Sequence, residues 1–117
     1  MRRPYVHAAE VVLAPGSDHR APGGAVTAAL CGHWEHDGPC RWPHHTAVEG
    51  EGQSVTVRTV FISDPAEEAL VRAKIAAALD GGRLGELQAM GTWSVSQHSA
   101  AELTVEERSL AGRLAAS

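Results

Sequence analysis

Residues 31–45 read CGHWEHDGPCRWPHH, and six of the chain's nine cysteines and histidines fall inside them. An even spread would put about one in a window of this length. The spacing is C-x-H-x2-H-x3-C-x3-H-H. Thiolate and neutral imidazole are the preferred ligands of Zn²⁺, and four of them complete its tetrahedral shell. The candidate metal ligands are therefore Cys31, His33, His36, Cys40, His44 and His45, with Cys31, His36, Cys40 and His44 the preferred four. His33 and His45 are alternates, or members of an expanded or open site. A mixed Cys/His set also suits copper or nickel. Gly38-Pro39 predicts a turn that returns Cys40 toward Cys31 and His33, and Trp34 and Trp42 flank the ligands as a dry shell. The pattern matches no standard zinc finger, and His33-Trp34-Glu35-His36 is not the H-E-x-x-H of a metalloprotease.

Plainer readings of the same stretch stand beside this one. Cys31 and Cys40 could form a disulfide across a short loop, the histidines could be a solvated cluster, and Trp34 and Trp42 could simply be core residues. Glu35 and Asp37 lie between the candidate ligands. Either could act as general base on a metal-bound water, or orient an imidazole from behind. Outside the segment, His7 and His98 sit on predicted strands and could join the site if those strands neighbour the second; a lone strand histidine is more often a satisfied core or surface residue. His19 falls in a loop. Ser94, Ser96 and Ser99 surround His98 without an acid in triad order. Gly81-Gly82 follows a helix instead of opening one, so it is no phosphate loop.

The elements that would position these residues are read from periodicity. Residues 5–13 (YVHAAEVVL) alternate as a first strand, with His7, Ala9, Val11 and Leu13 on one face. Residues 25–31 (AVTAALC) are predicted as a second strand leading into the Cys/His segment, and 49–54 as a polar, Gly-containing connection. Residues 55–63 (VTVRTVFIS) form the clearest strand. Asp64, Pro65 and Glu67 predict a capped helix start, Val71, Ile75, Ala78 and Leu79 its apolar stripe, and Gly81-Gly82 its end. Glu68 and Arg72 are spaced for an i,i+4 pair. Residues 92–98 (TWSVSQH) give a fourth strand. Thr104 with Glu107 predicts a second capping box, opening a short helix that carries Leu110 and Leu114. The expected fold is α+β, a small, mostly antiparallel four-stranded sheet with two helices in the order β-β-β-α-β-α, the metal-binding loop lying between strands 2 and 3. Ferredoxin-like and related sandwiches are compatible with it.

With 117 residues, the chain predicts one domain spanning 1–117. The net charge of −4 and a single lysine, Lys74, argue against nucleic acid, whose backbone requires clustered cations. No stretch approaches the roughly 20 apolar residues of a spanning helix. The start Met1-Arg2-Arg3 is followed by an apolar run containing His7 and Glu10 with no convincing cleavage site, so it reads as mature strand and the setting as cytoplasmic. Aromatic residues are only 4 %, and a core so short of large side chains gains from a metal staple. The leading expectation is thus a small zinc-binding protein with a closed, structural site and an accessory or binding role. A metalloenzyme with an open position, using Glu35 or a histidine as acid/base, is the second. A metal carrier or sensor is the third. A protein partner or a homodimer remains open.

Overall fold

The computed structural model describes residues 1–31, 41–84 and 91–116. The elements are β1 (Arg3–Leu13), α1 (Ala21–Cys31), β2 (His44–Glu49), β3 (Ser54–Ser63), a 3-10 turn (Pro65–Glu67), α2 (Glu68–Asp80), β4 (Arg83–Leu84), β5 (Gly91–Ala101) and α3 (Val105–Ala116). The sheet runs β2-β3-β1-β5-β4, and every neighbouring pair is antiparallel. Four long strands form its body, and β4 adds two residues at one edge. Because β1 and β2 both oppose β3, they run parallel, and a parallel pair needs a crossover. Helix α1 supplies it. This connectivity is the split β-α-β pairing of ferredoxin-like sandwiches, with α3 added at the end.

That crossover corrects the expected second strand: residues 25–31 are the later part of α1, so the order is β-α-β-β-α-β-β-α and the described helices number three. The run is rich in alanine, the strongest helix former, and short Ala/Val alternation fits either period. Asp18 starts the helix, accepting from Arg20 N on Oδ1 (2.8 Å) and from Ala21 N on its carbonyl (3.0 Å). Pro22 sits in the first turn, where its missing N–H costs nothing. The true second strand begins inside the segment assigned to metal, at His44, and continues into β3 through a glycine-containing turn.

The other elements form for the reasons their sequences give. In β3 the inward residues are Val55, Val57, Thr59 and Phe61; β1 turns Ala9, Val11 and Leu13 the same way. Helices α1 and α2 cover this face with Ala21, Ala25, Val26 and Leu30 from one and Val71, Ile75 and Leu79 from the other. The predicted Glu68–Arg72 pair is present at 2.8 Å. The predicted Asp64/Glu67 box is not: Asp64 makes no side-chain cap, and Glu67 instead binds Arg41 at 2.7 Å. On the opposite face α3 packs Ala111, with Leu110 and Leu114, against Val6, Val60 and Ile62. Its capping box is made in full, Thr104 N to Glu107 Oε1 (2.9 Å) and Glu107 N to Thr104 Oγ1 (3.1 Å). Among the described residues no helix is long and apolar enough to cross a membrane.

Candidate functional site

Across the face of the sheet under α1 and α2 runs a transverse row of polar side chains, Thr46, Thr59, His7 and His98, on β2, β3, β1 and β5. Alternation along β1 turns His7 inward beside Ala9, where it is only 6 % exposed. His98 reaches the same face through an irregularity. On β5, Trp93 and Val95 oppose Leu13 and Val11 and face inward, which would put residue 97 inward next. The register shifts between Glu10 and Val11, so that Gln97 opposes Glu10 and His98 opposes Ala9. Ser96 is the extra residue, and this bulge re-aims His98 into the core face.

There His98 Nδ1 lies 3.0 Å from His7 Nε2, the two rings tilted with centroids 5.1 Å apart. Its other nitrogen, Nε2, lies 2.8 Å from Asp80 Oδ1. Asp80 is the last residue of α2, and the turn just beyond it is fixed by Gly82. That residue has φ +69°, and a Cβ there would stand 2.6 Å from the Trp93 carbonyl oxygen. Trp93 Nε1 in turn donates to the Leu79 carbonyl at 2.8 Å, tying the end of α2 to β5. Side-chain exposure grades outward, from buried His7 through His98 at 25 % to Asp80 at 59 %.

Hydrogen placement along this path follows from the carboxylate. Asp80 only accepts, so His98 Nε2 carries a hydrogen and donates to it. With both rings neutral, His98 Nδ1 is then bare and accepts from His7 Nε2–H, which leaves His7 Nδ1 as an unprotonated acceptor. That atom is buried and has no hydrogen-bond partner. Burial chiefly, then the neighbouring His98 and the Arg72 guanidinium, lower the His7 pKa from 6.5 to about 4, with Asp80 opposing them. His7 is therefore a neutral base at neutral pH, with a free lone pair in a desolvated place.

Of the residues expected to bind metal, His44 and His45 are described. His44 faces inward on β2, its Nδ1 3.0 Å from the Trp42 carbonyl and its Nε2 3.1 Å from Thr27 Oγ1, so it ties β2 to α1. His45, the next residue on the strand, points to the other face and is exposed. Consecutive strand residues cannot converge on one ion. Trp42 is a core residue, 4 % exposed. The side chain of Cys31 and residues His33, Trp34, Glu35, His36, Asp37 and Cys40 lie outside the described residues. Among those described, no group of three or more His, Cys, Asp or Glu could hold a metal ion. This overturns the metal-binding function, and with it the structural-zinc, metalloenzyme and carrier readings built on it. His7 and His98 do meet, as their strand positions allowed, but each other and Asp80 and not the 31–45 segment. Asp80 was missed: no local pattern marks it, and only the fold brings it to His98.

Comparisons of the chain with protein-family models, with curated proteins and with solved structures give no match.

Proposed function

We propose that the chain is a small acid–base protein whose working group is the Asp80–His98–His7 relay. The observation that carries this is the continuous hydrogen-bonded path from a half-exposed carboxylate to a buried imidazole nitrogen without a partner. Buried polar atoms are almost always paired, and an orphaned acceptor costs about 1–3 kcal/mol. An orphan at the inner end of an ordered path is what proton transfer needs: a base held neutral, correctly oriented, and backed by groups that pass its charge outward. When a donor gives its proton to His7 Nδ1, the proton on His7 Nε2 moves to His98 Nδ1. The proton on His98 Nε2 then moves to Asp80, which releases it to water. Each ring ends with one proton, the donor has lost one, and solvent has gained one. Run in reverse, the relay protonates a group at the inner end. Donors that can lie under α2 are small, which points to proton abstraction or donation on a small molecule.

The relay predicts that the buried His7 Nε2 proton exchanges with solvent through Asp80. Asn at position 80 still accepts from His98 but cannot take up and release a proton. Exchange of the His7 ring proton, followed by NMR at neutral pH, should slow at least about tenfold in Asp80→Asn, consistent with the usual share of a positioned acid–base group. Equal exchange in the two proteins would mean that protons reach His7 by another route, and the relay reading would fall.

A further inference from the structure

His7 Nε2 is turned toward β5, and the two nitrogens of an imidazole point nearly opposite ways, so Nδ1 is turned toward the β3 side of β1. The residue paired with His7 across that side is Thr59. Thr59 is fully buried and faces the same side of the sheet; its Oγ1 is 2.9 Å from Thr46 Oγ1 on β2, where either hydroxyl can be the donor. Side chains paired across an antiparallel ladder stand about 5 Å apart at Cβ. Such a pair can bond directly, as Thr59 does with Thr46 on its other side, but His7 Nδ1 is buried with no hydrogen-bond partner, and a water between His7 and Thr59 would join them by two bonds of about 2.8 Å. The cation facing His7 is Arg72 on α2, whose Nε is engaged by Glu68 and Nη1 by the Val6 carbonyl, its guanidinium lying over the rings of Tyr5 and Phe61. Apart from Thr59, the charged or titratable groups facing His7 are His98 on β5 and Arg72 and Asp80 on α2.

From this juxtaposition we infer that one buried water is held between His7 Nδ1 and the Thr59 hydroxyl, which makes Thr59 a positioning residue of the relay. The inference rests on the relay reading and names the group at its inner end. The water donates to Nδ1 and accepts from Thr59 O–H, and Thr59 accepts in turn from Thr46 O–H. The bonding hydrogens in the line Thr46–Thr59–water–His7–His98–Asp80 then all point toward the carboxylate, and Thr59 and both rings each give one bond and take one. A buried water needs two to four polar partners, and this place provides two from side chains beside the strand carbonyls. His7 Nδ1 thereby faces an oriented water, through which a proton can reach or leave the inner end of the relay.

The test reads His7 Nδ1 by its ¹⁵N chemical shift, which separates an accepted hydrogen bond from a bare lone pair. In the wild-type protein Nδ1 should show the hydrogen-bonded value. Long-lived water should give nuclear Overhauser contacts to both the His7 ring and the Thr59 methyl. Thr59→Val keeps the shape and removes the hydroxyl, and should move Nδ1 to the bare value, while Thr59→Ser should restore it. An Nδ1 shift unchanged in Thr59→Val would overturn the inference. So would the absence of water contacts in the wild type, a measurement that stands even if the valine variant does not fold. The relay can fail separately: Asp80→Asn would then leave ring-proton exchange unaltered while the water contacts persist.

Discussion

Asp80 stands where helix electrostatics disfavour a carboxylate, because the carbonyl end of α2 carries partial negative charge. A lysine or asparagine would suit the position better, and such departures from local preference gather at functional sites. The compensation is His98, whose Nε2–H gives Asp80 a hydrogen bond at 2.8 Å. Removing that imidazole has unequal effects on its neighbours. Asp80 is more than half exposed and recovers water, whereas the Nε2–H of buried His7 is left without an acceptor. His98→Ala should therefore lower stability by about 1–3 kcal/mol, mostly through His7. Urea denaturation measures it. The double variant His7→Leu/His98→Ala, which has no polar group to strand, should regain much of the loss; an equally unstable double variant would place the cost in packing.

At the scale of elements, the turn after α2 fixes where Asp80 points. Gly82 needs its positive φ, and an added Cβ would meet the Trp93 carbonyl. Gly82→Ala should cost more than the roughly 1 kcal/mol of a simple left-handed penalty and should also disturb the Asp80–His98 contact. Thermal denaturation together with the His98 ring signals would show both, and a stability loss with unmoved His98 signals would mean that the turn does not position the carboxylate. Helix α3 depends on Glu107, which caps its own N-terminus and holds Arg58 of β3 at 2.7 Å, with both side chains largely covered. Glu107→Ala removes both contacts and should cost about 2–4 kcal/mol, with α3 amides losing protection from hydrogen exchange first. The strands β1, β3 and β5, helix α2 and the α3 capping box were legible because apolar periodicity and cap residues are local signals. Residues 25–31 were misread since Ala/Val alternation over seven residues fits two periods, and Asp18, which starts α1, sits in a stretch rich in Gly, Pro, Ser and Asp that reads as loop. The row from His44 to Val48 was strand-like, yet its histidines, taken as ligands, hid the alternation. The site was half legible. His7 and His98 stood on strands, but the bulge at Ser96 and the approach of Asp80 are products of pairing and helix docking.

For the whole molecule, a histidine held neutral in the core couples folding to pH. The His7 pKa is about 4 in the folded protein and 6.5 as a free side chain, so between these values the unfolded chain binds the extra proton. Stability from this group is therefore full above about pH 6.5, falls as pH drops toward 4, and levels off below. The whole interval corresponds to at most about 3 kcal/mol. His7→Gln, which cannot titrate, should flatten the denaturation midpoint over that window; an unchanged slope would assign the acid sensitivity to other groups. Beneath the relay, the water and this pH dependence lies one claim: an ordered line of hydrogen bonds that leaves His7 without a hydrogen on Nδ1. The most direct measurement is the protonation of both imidazoles at neutral pH, read from two-bond ¹H–¹⁵N correlations of the histidine rings. The account predicts that His7 and His98 each carry their hydrogen on Nε2 and that His7 stays neutral until the pH falls near 4. A His7 protonated on Nδ1, or titrating near its ordinary 6.5, would contradict it.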